Sequence, residues 1–176
     1  MKKICYIMRG IPGSGKSTTA KTLAPKENIF STDDYWGPKY NFDISKIGQA
    51  HNWNQQRACE AMQKGITPIV VDNTNTTWKE IDPYALAAVR LGYEVEFCEP
   101  ASDWWRNVEY YIRQRHLKAE QIIGWDLKRC VSELSHYGTH NVPAFVIEKM
   151  ISRWQYTADI QKRYEMLLME KENALQ

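Results

Sequence analysis

Eight consecutive residues, Gly10-Ile11-Pro12-Gly13-Ser14-Gly15-Lys16-Ser17, carry three glycines, a lysine and a hydroxyl in the spacing G-x-x-x-x-G-K-[ST]. The chemistry open to such a run is the holding of a polyphosphate. Backbone N–H groups can converge on one anion only where side chains are absent and φ can be positive, and Gly10, Gly13 and Gly15 meet that demand. Lys16 then places a point charge on the β- and γ-phosphates, and Ser17 offers its hydroxyl to Mg²⁺. The expected contacts to the triphosphate are therefore Gly10, Gly13, Ser14, Gly15, Lys16, Ser17 and Thr18.

Transfer of a γ-phosphoryl group to a hydroxyl also needs a carboxylate for the acceptor's proton and a second group near the metal. Asp33 and Asp34 are candidates for the first role. On an extended segment neighbouring side chains point to opposite sides, so only one can face the phosphates; Asp33 is favoured, and Asp34 can cap the next turn. Asp72 closes an apolar run, where a carboxylate can hold Mg²⁺, bond the phosphate loop or cap the helix that follows. Asn73, Thr74 and Asn75 continue it with residues common in turns.

These groups need elements to position them. The apolar run 4–8 is a strand before the phosphate loop, and 17–23 is compatible with a helix whose positive N-terminal end faces the anion. Residues 28–31 form a short strand delivering Asp33 at its carboxyl end, and 36–40 a loop. Residues 44–64 show helical periodicity and stop at Gly65. The β-branched run 68–71 lacks alternation, as in a strand covered on both faces. Residues 77–91 read as a helix with Pro83 in its first turns or breaking it, 93–97 as a strand, 102–116 as a helix and 141–169 as one long helical pattern. Regular alternation of strand and helix implies an α/β fold with a mostly parallel sheet and helices on both faces, and ligands at the carboxyl ends of the strands.

With 176 residues, 43% of them hydrophobic, the chain fits one domain, and a net charge of only +2 gives no global field for nucleic acid or membrane. Cys5, Cys59, Cys98 and Cys130 show no paired spacing, which fits a reducing compartment. The strand begins almost at once after Met1, leaving no room for a signal peptide, and no apolar run approaches a membrane span. A cytoplasmic protein without membrane contact is expected.

Beyond the loop, Ser-Thr-Asp-Asp-Tyr at 31–35 and Ile-Val-Val-Asp-Asn-Thr-Asn at 69–75 follow in order, and the series resembles the polynucleotide kinase-like branch of the P-loop kinases. Tyr40 to Phe42, the helix with His51, Trp53, Asn54 and Arg57, Glu99-Pro100 and Thr139-His140-Asn141-Val142-Pro143 are similar to family segments too. The resemblance implies a P-loop NTPase fold and a kinase using ATP and Mg²⁺. It makes Asp33 the general base, Lys16 and Ser17 the phosphate and metal contacts, and Asn73 to Asn75 the lining of the acceptor site. The leading acceptor is the 5′-hydroxyl of DNA or RNA. The alternatives are a small-molecule kinase for a nucleoside, nucleotide sugar or modified base, and a non-catalytic ATP-binding module.

Two departures from the family pattern stand out. Where family members can carry an arginine that grips an acceptor phosphate, this chain has Trp36, which can stack on a base or pack the loop. Where the family places lid arginines it has His136 and Tyr137. The segment at 108–115 resembles the arginine-bearing helix instead, so Arg113 is the expected lid residue, Arg115 remains beside it, and about 116–138 is a helical and aromatic insertion. The bland fate of Arg113, Arg115, Lys118, Lys128 and Arg129 is a solvated basic face. Trp125, Lys128 and Arg129 can form an acceptor lid, a dimer surface or simple packing on the core.

Overall fold

Four short runs become strands: β1 (Ile4–Met8), β2 (Ile29–Phe30), β3 (Ile69–Val71) and β4 (Glu94–Cys98). Strand β3 is buried throughout, whereas the edge strand β4 buries Val95 and leaves Glu94 exposed. The computed structural model describes residues 2–114 and 126–173. The strands pair in parallel in the order β2-β3-β1-β4. Cys5 lies opposite Ile69 on one side of β1 and opposite Val95 on the other.

That order requires one crossover to run outward from β1 to the edge and the next two to return. With right-handed crossovers, the first helix and the next two must lie on opposite faces. They do. On one face α1 (Lys16–Leu23) packs Ala20 against Met8 and Val70. On the other, α2 (Ile47–Gln63) and α3 (Trp78–Arg90) bury Ala58, Met62, Ile81 and Ala85 against Cys5, Ile7, Ile69 and Val71. Burying each large aliphatic side chain stabilises the sheet by about 1.5–3 kcal/mol. Pro83 sits within α3 and does not end it.

The remaining helices are α4 (Asp103–Gln114), α5 (Leu127–Tyr137), α6 (Ala144–Arg153) and α7 (Thr157–Asn173). The last of these adds Ile160 and Tyr164 to the sheet core. The other three build a separate cap around Trp105, Val108, Ile112, Cys130, Leu134, Ile147 and Trp154, seated on Ile11 of the phosphate loop.

Two expectations change here. The pattern at 141–169 is two helices, because Trp154 is drawn into the cap with an extended backbone and Gln155 then bonds the carbonyl of Thr76. Thr32–Trp36 is a 3-10 turn, so Asp33 and Asp34 are not neighbours on an extended strand. The described part of the segment expected as an insertion is a helix packed between α4 and α6 through Cys130, Val131 and Leu134. Arg115, Lys118 and Trp125 lie outside the described residues. No described helix is long and apolar enough to cross a membrane.

Candidate functional site

The loop after β1 is shaped by two left-handed glycines, Gly13 at φ 83° and Gly15 at φ 94°. Its start is held by the amide of Gly10 on the Thr74 carbonyl at 3.1 Å and by Ser14 on Ile11 at 3.0 Å. A Cβ on Gly10 would meet Ser14 Oγ at 2.5 Å and Lys16 Cγ at 2.9 Å, so the cradle closes only without one. Helix α1 starts at Lys16 with Gly15 as its cap and no side-chain capping bond. Its first N–H groups are thus left for an anion. Ser14, Ser17 and Thr18 follow this geometry along the loop and the first turn.

The cap braces the loop from outside. Trp104 Nε1 donates to the Gly13 carbonyl and Ser102 Oγ to the Ser14 carbonyl, both at 2.8 Å. Tyr137 stacks on Trp104 at 3.9 Å.

Lys16 Nζ donates to the Ile11 carbonyl at 3.3 Å. Burial pushes its pKa down, while the charges of Asp72 and Asp33 push it back up. Asp72, at the end of β3, is 7% exposed. Burial raises its pKa, against Lys16 and a hydrogen bond from Ser17. Its Oδ1 has no hydrogen-bond partner among the described residues. An orphaned buried carboxylate oxygen beside a serine hydroxyl fits a hard divalent cation. No described cluster of three His, Cys, Asp or Glu side chains completes a cage, so phosphate and water would supply the rest, as Mg²⁺ prefers.

Asp33 lies on the 3-10 turn after β2 with its side chain 51% exposed. Its Oδ1 accepts from the Tyr40 hydroxyl at 3.0 Å, and His140 Nε2 stands 3.8 Å from Oδ2. Asp34 turns elsewhere, to Arg57 at 3.2 Å, whose guanidinium lies over Trp53. The two loops are tied together: Asn73 Oδ1 accepts from the Thr32 amide at 2.9 Å, and Asn73 Nδ2 donates to the Tyr84 hydroxyl at 3.1 Å.

Several residues expected at the acceptor are thereby occupied. Trp36 is 6% exposed on the 3-10 turn and meets Tyr35 and Phe42 edge-on. Asn75 is 1% exposed and donates to the Met8 carbonyl at 2.7 Å, a bond that fixes the β3 loop to β1. Asn73 serves as the tie just described. Arg113 is paired with Glu109 one turn back on α4 and is mostly exposed; its described hydrogen bonds all go to that carboxylate. What residue types alone did not single out is Tyr40 and His140, neighbours of Asp33 far apart in sequence.

Comparison with known proteins places these features in a wider setting. The family described as AAA domain matches residues 6–122. NEDD4-binding protein 2 of Homo sapiens is 40% identical over 139 residues, 76% of this chain but 8% of that protein. The 2′,3′-cyclic-nucleotide 3′-phosphodiesterases of Mus musculus and Rattus norvegicus are each 30% identical over 107 residues, 58% of this chain and 25% of theirs. The chain thus spans a quarter or less of the length of these relatives.

Proposed function

Because this chain belongs to the AAA-domain family of P-loop NTPase-like proteins, we propose that it is an ATP-dependent kinase that phosphorylates a hydroxyl of a nucleic acid or nucleotide-like acceptor, the 5′-hydroxyl of a polynucleotide first among them. The observation that carries the reading is a phosphate loop opening a helix with no side-chain cap, together with two carboxylates of different environment, Asp72 buried with an oxygen unpartnered among the described residues and Asp33 half exposed.

Ser17 and Asp72 would hold Mg²⁺, which neutralises charge on the β- and γ-phosphates. Lys16 and the N–H groups of the loop and α1 hold the triphosphate in place. The acceptor oxygen bonds to the γ-phosphorus, the bond from that phosphorus to the ADP oxygen breaks, and the acceptor's proton passes to the Asp33 carboxylate. The names of the relatives are compatible with nucleotide chemistry, since two of them are phosphodiesterases of cyclic nucleotides.

A small-molecule acceptor is the second reading, favoured by Trp36 being buried where a phosphate-gripping arginine would stand and by Arg57 being committed to Asp34. The test is transfer from γ-labelled ATP to 5′-hydroxyl DNA and RNA oligonucleotides, nucleosides and nucleotides. Label on an oligonucleotide end is expected, falling by about 10²–10⁴ in Asp33→Asn with ATP affinity kept. Label on small acceptors alone would move the function to metabolite phosphorylation. No label with ATP still bound would leave a non-catalytic module.

A further inference from the structure

Two neighbours of Asp33 have no part in the mechanism above. The Tyr40 hydroxyl donates to Asp33 Oδ1, and burial together with the Asp33 charge pushes the phenol's pKa up, so it keeps the proton it donates. The Tyr40 ring lies on the ring of His140, with centroids 3.9 Å apart and planes 15° from parallel. Tyr40 belongs to the segment after β2, His140 to the connection between α5 and α6, so the stack joins the cap to the turn that carries Asp33. Left-handed backbone shapes both sides, Tyr40 itself at φ 47° and Asn141 beside His140 at φ 47°. For a bulky residue such as tyrosine that conformation is rare and persists only when the surroundings impose it.

We propose that Tyr40 and His140 are a positioning pair for the acceptor carboxylate, an inference that rests on the assignment of Asp33 as proton acceptor. A carboxylate free to turn offers either oxygen in many orientations. A donor fixed on Oδ1 sets the plane of the group and leaves Oδ2 for the acceptor hydroxyl; His140 Nε2 stands 3.8 Å from Oδ2, beyond hydrogen-bond reach but close enough to pair with it when the imidazole is protonated. His140 acts through Tyr40: its ring holds the phenol ring, and the phenol holds the carboxylate. The closure of the cap on the Asp33 turn is thereby coupled to the alignment of the base.

The test compares Tyr40→Phe, His140→Ala, His140→Phe and the double variant Tyr40→Phe with His140→Ala, using γ-labelled ATP and the acceptors of the panel above, with thermal unfolding and ATP affinity to certify folding. Tyr40→Phe and His140→Ala should each lower kcat about 10- to 100-fold with the KM for ATP unchanged. His140→Phe keeps a flat ring and should retain most of the rate. The double variant should be no slower than Tyr40→Phe, because both changes act through one hydroxyl. Wild-type kcat in His140→Ala, equal damage in His140→Phe and His140→Ala, or losses that multiply would overturn the pair. Asp33→Asn separates the two levels. If it transfers at the wild-type rate, the assignment of Asp33 falls and the pair with it; if it is inactive while Tyr40→Phe and His140→Ala run normally, only the pair falls.

Discussion

A carboxylate's surroundings decide what it can do, and Asp33 and Asp72 differ in that respect although both follow short strands. Asp72 is buried with its pKa raised, the state in which the ionised form costs the fold energy unless a cation meets it. The consequence for stability has a definite sign. Between the ordinary carboxylate pKa and the raised folded value the native state binds more proton than the unfolded chain, so stability falls as pH rises through that window. Asp72→Asn should remove this part of the pH dependence, read as the difference between wild-type and variant melting temperatures across a pH series. The same change should abolish the gain in ATP affinity that Mg²⁺ confers, while ATP binding in the presence of a chelator stays close to wild type. Retention of the Mg²⁺ effect would place the metal elsewhere.

Elements position these groups through close approach more than through propensity. Gly13 shows it best, since a Cβ there would stand 1.9 Å from the Leu134 carbonyl at the C-terminal end of α5. Gly13→Ala must therefore lift the cap from the phosphate loop as well as strain a left-handed φ. The expected cost is about 2–5 kcal/mol, with ATP affinity and thermal stability lost together. Gly65→Ala is the control: φ is 75° and nothing lies within 4 Å of the added Cβ, so it should cost only about 1–2 kcal/mol and leave ATP binding intact. Equal effects in isothermal titration and thermal melts would show that α5 does not brace the loop. The strands and the first three helices were legible because short apolar or β-branched runs and helical apolar periodicity have local causes. The division of 141–169 was not, because the break is made by the burial of Trp154 in a distant cluster.

Across the whole molecule, the sheet core and the cap meet at Arg9. It is fully buried, and its guanidinium donates to the carbonyls of Asn75, Thr76 and Gln155 and to the Thr157 hydroxyl, lying 4.4 Å over the Trp154 ring. The end of β1, the loop after β3 and the junction of α6 with α7 are thus tied to one cation. Burial lowers its pKa to about 10, with Glu99 and Glu80 opposing. Arg9→Met keeps the length of the side chain but leaves those carbonyls and Glu99 without the charge. It should destabilise by about 3–5 kcal/mol in denaturant unfolding, and a loss below 1 kcal/mol would show that the cap is held independently. By itself the sequence determined the phosphate loop, the order of the strands and the first three helices, and the parallel α/β class, because glycine spacing and apolar periodicity act over a few residues. Only the tertiary structure decided that Trp36 and Asn75 face inward, that Arg113 pairs with Glu109, and that Tyr40 and His140 meet beside Asp33. Those outcomes depend on which distant surfaces come into contact, and a rotation of one short turn is enough to turn a side chain inward.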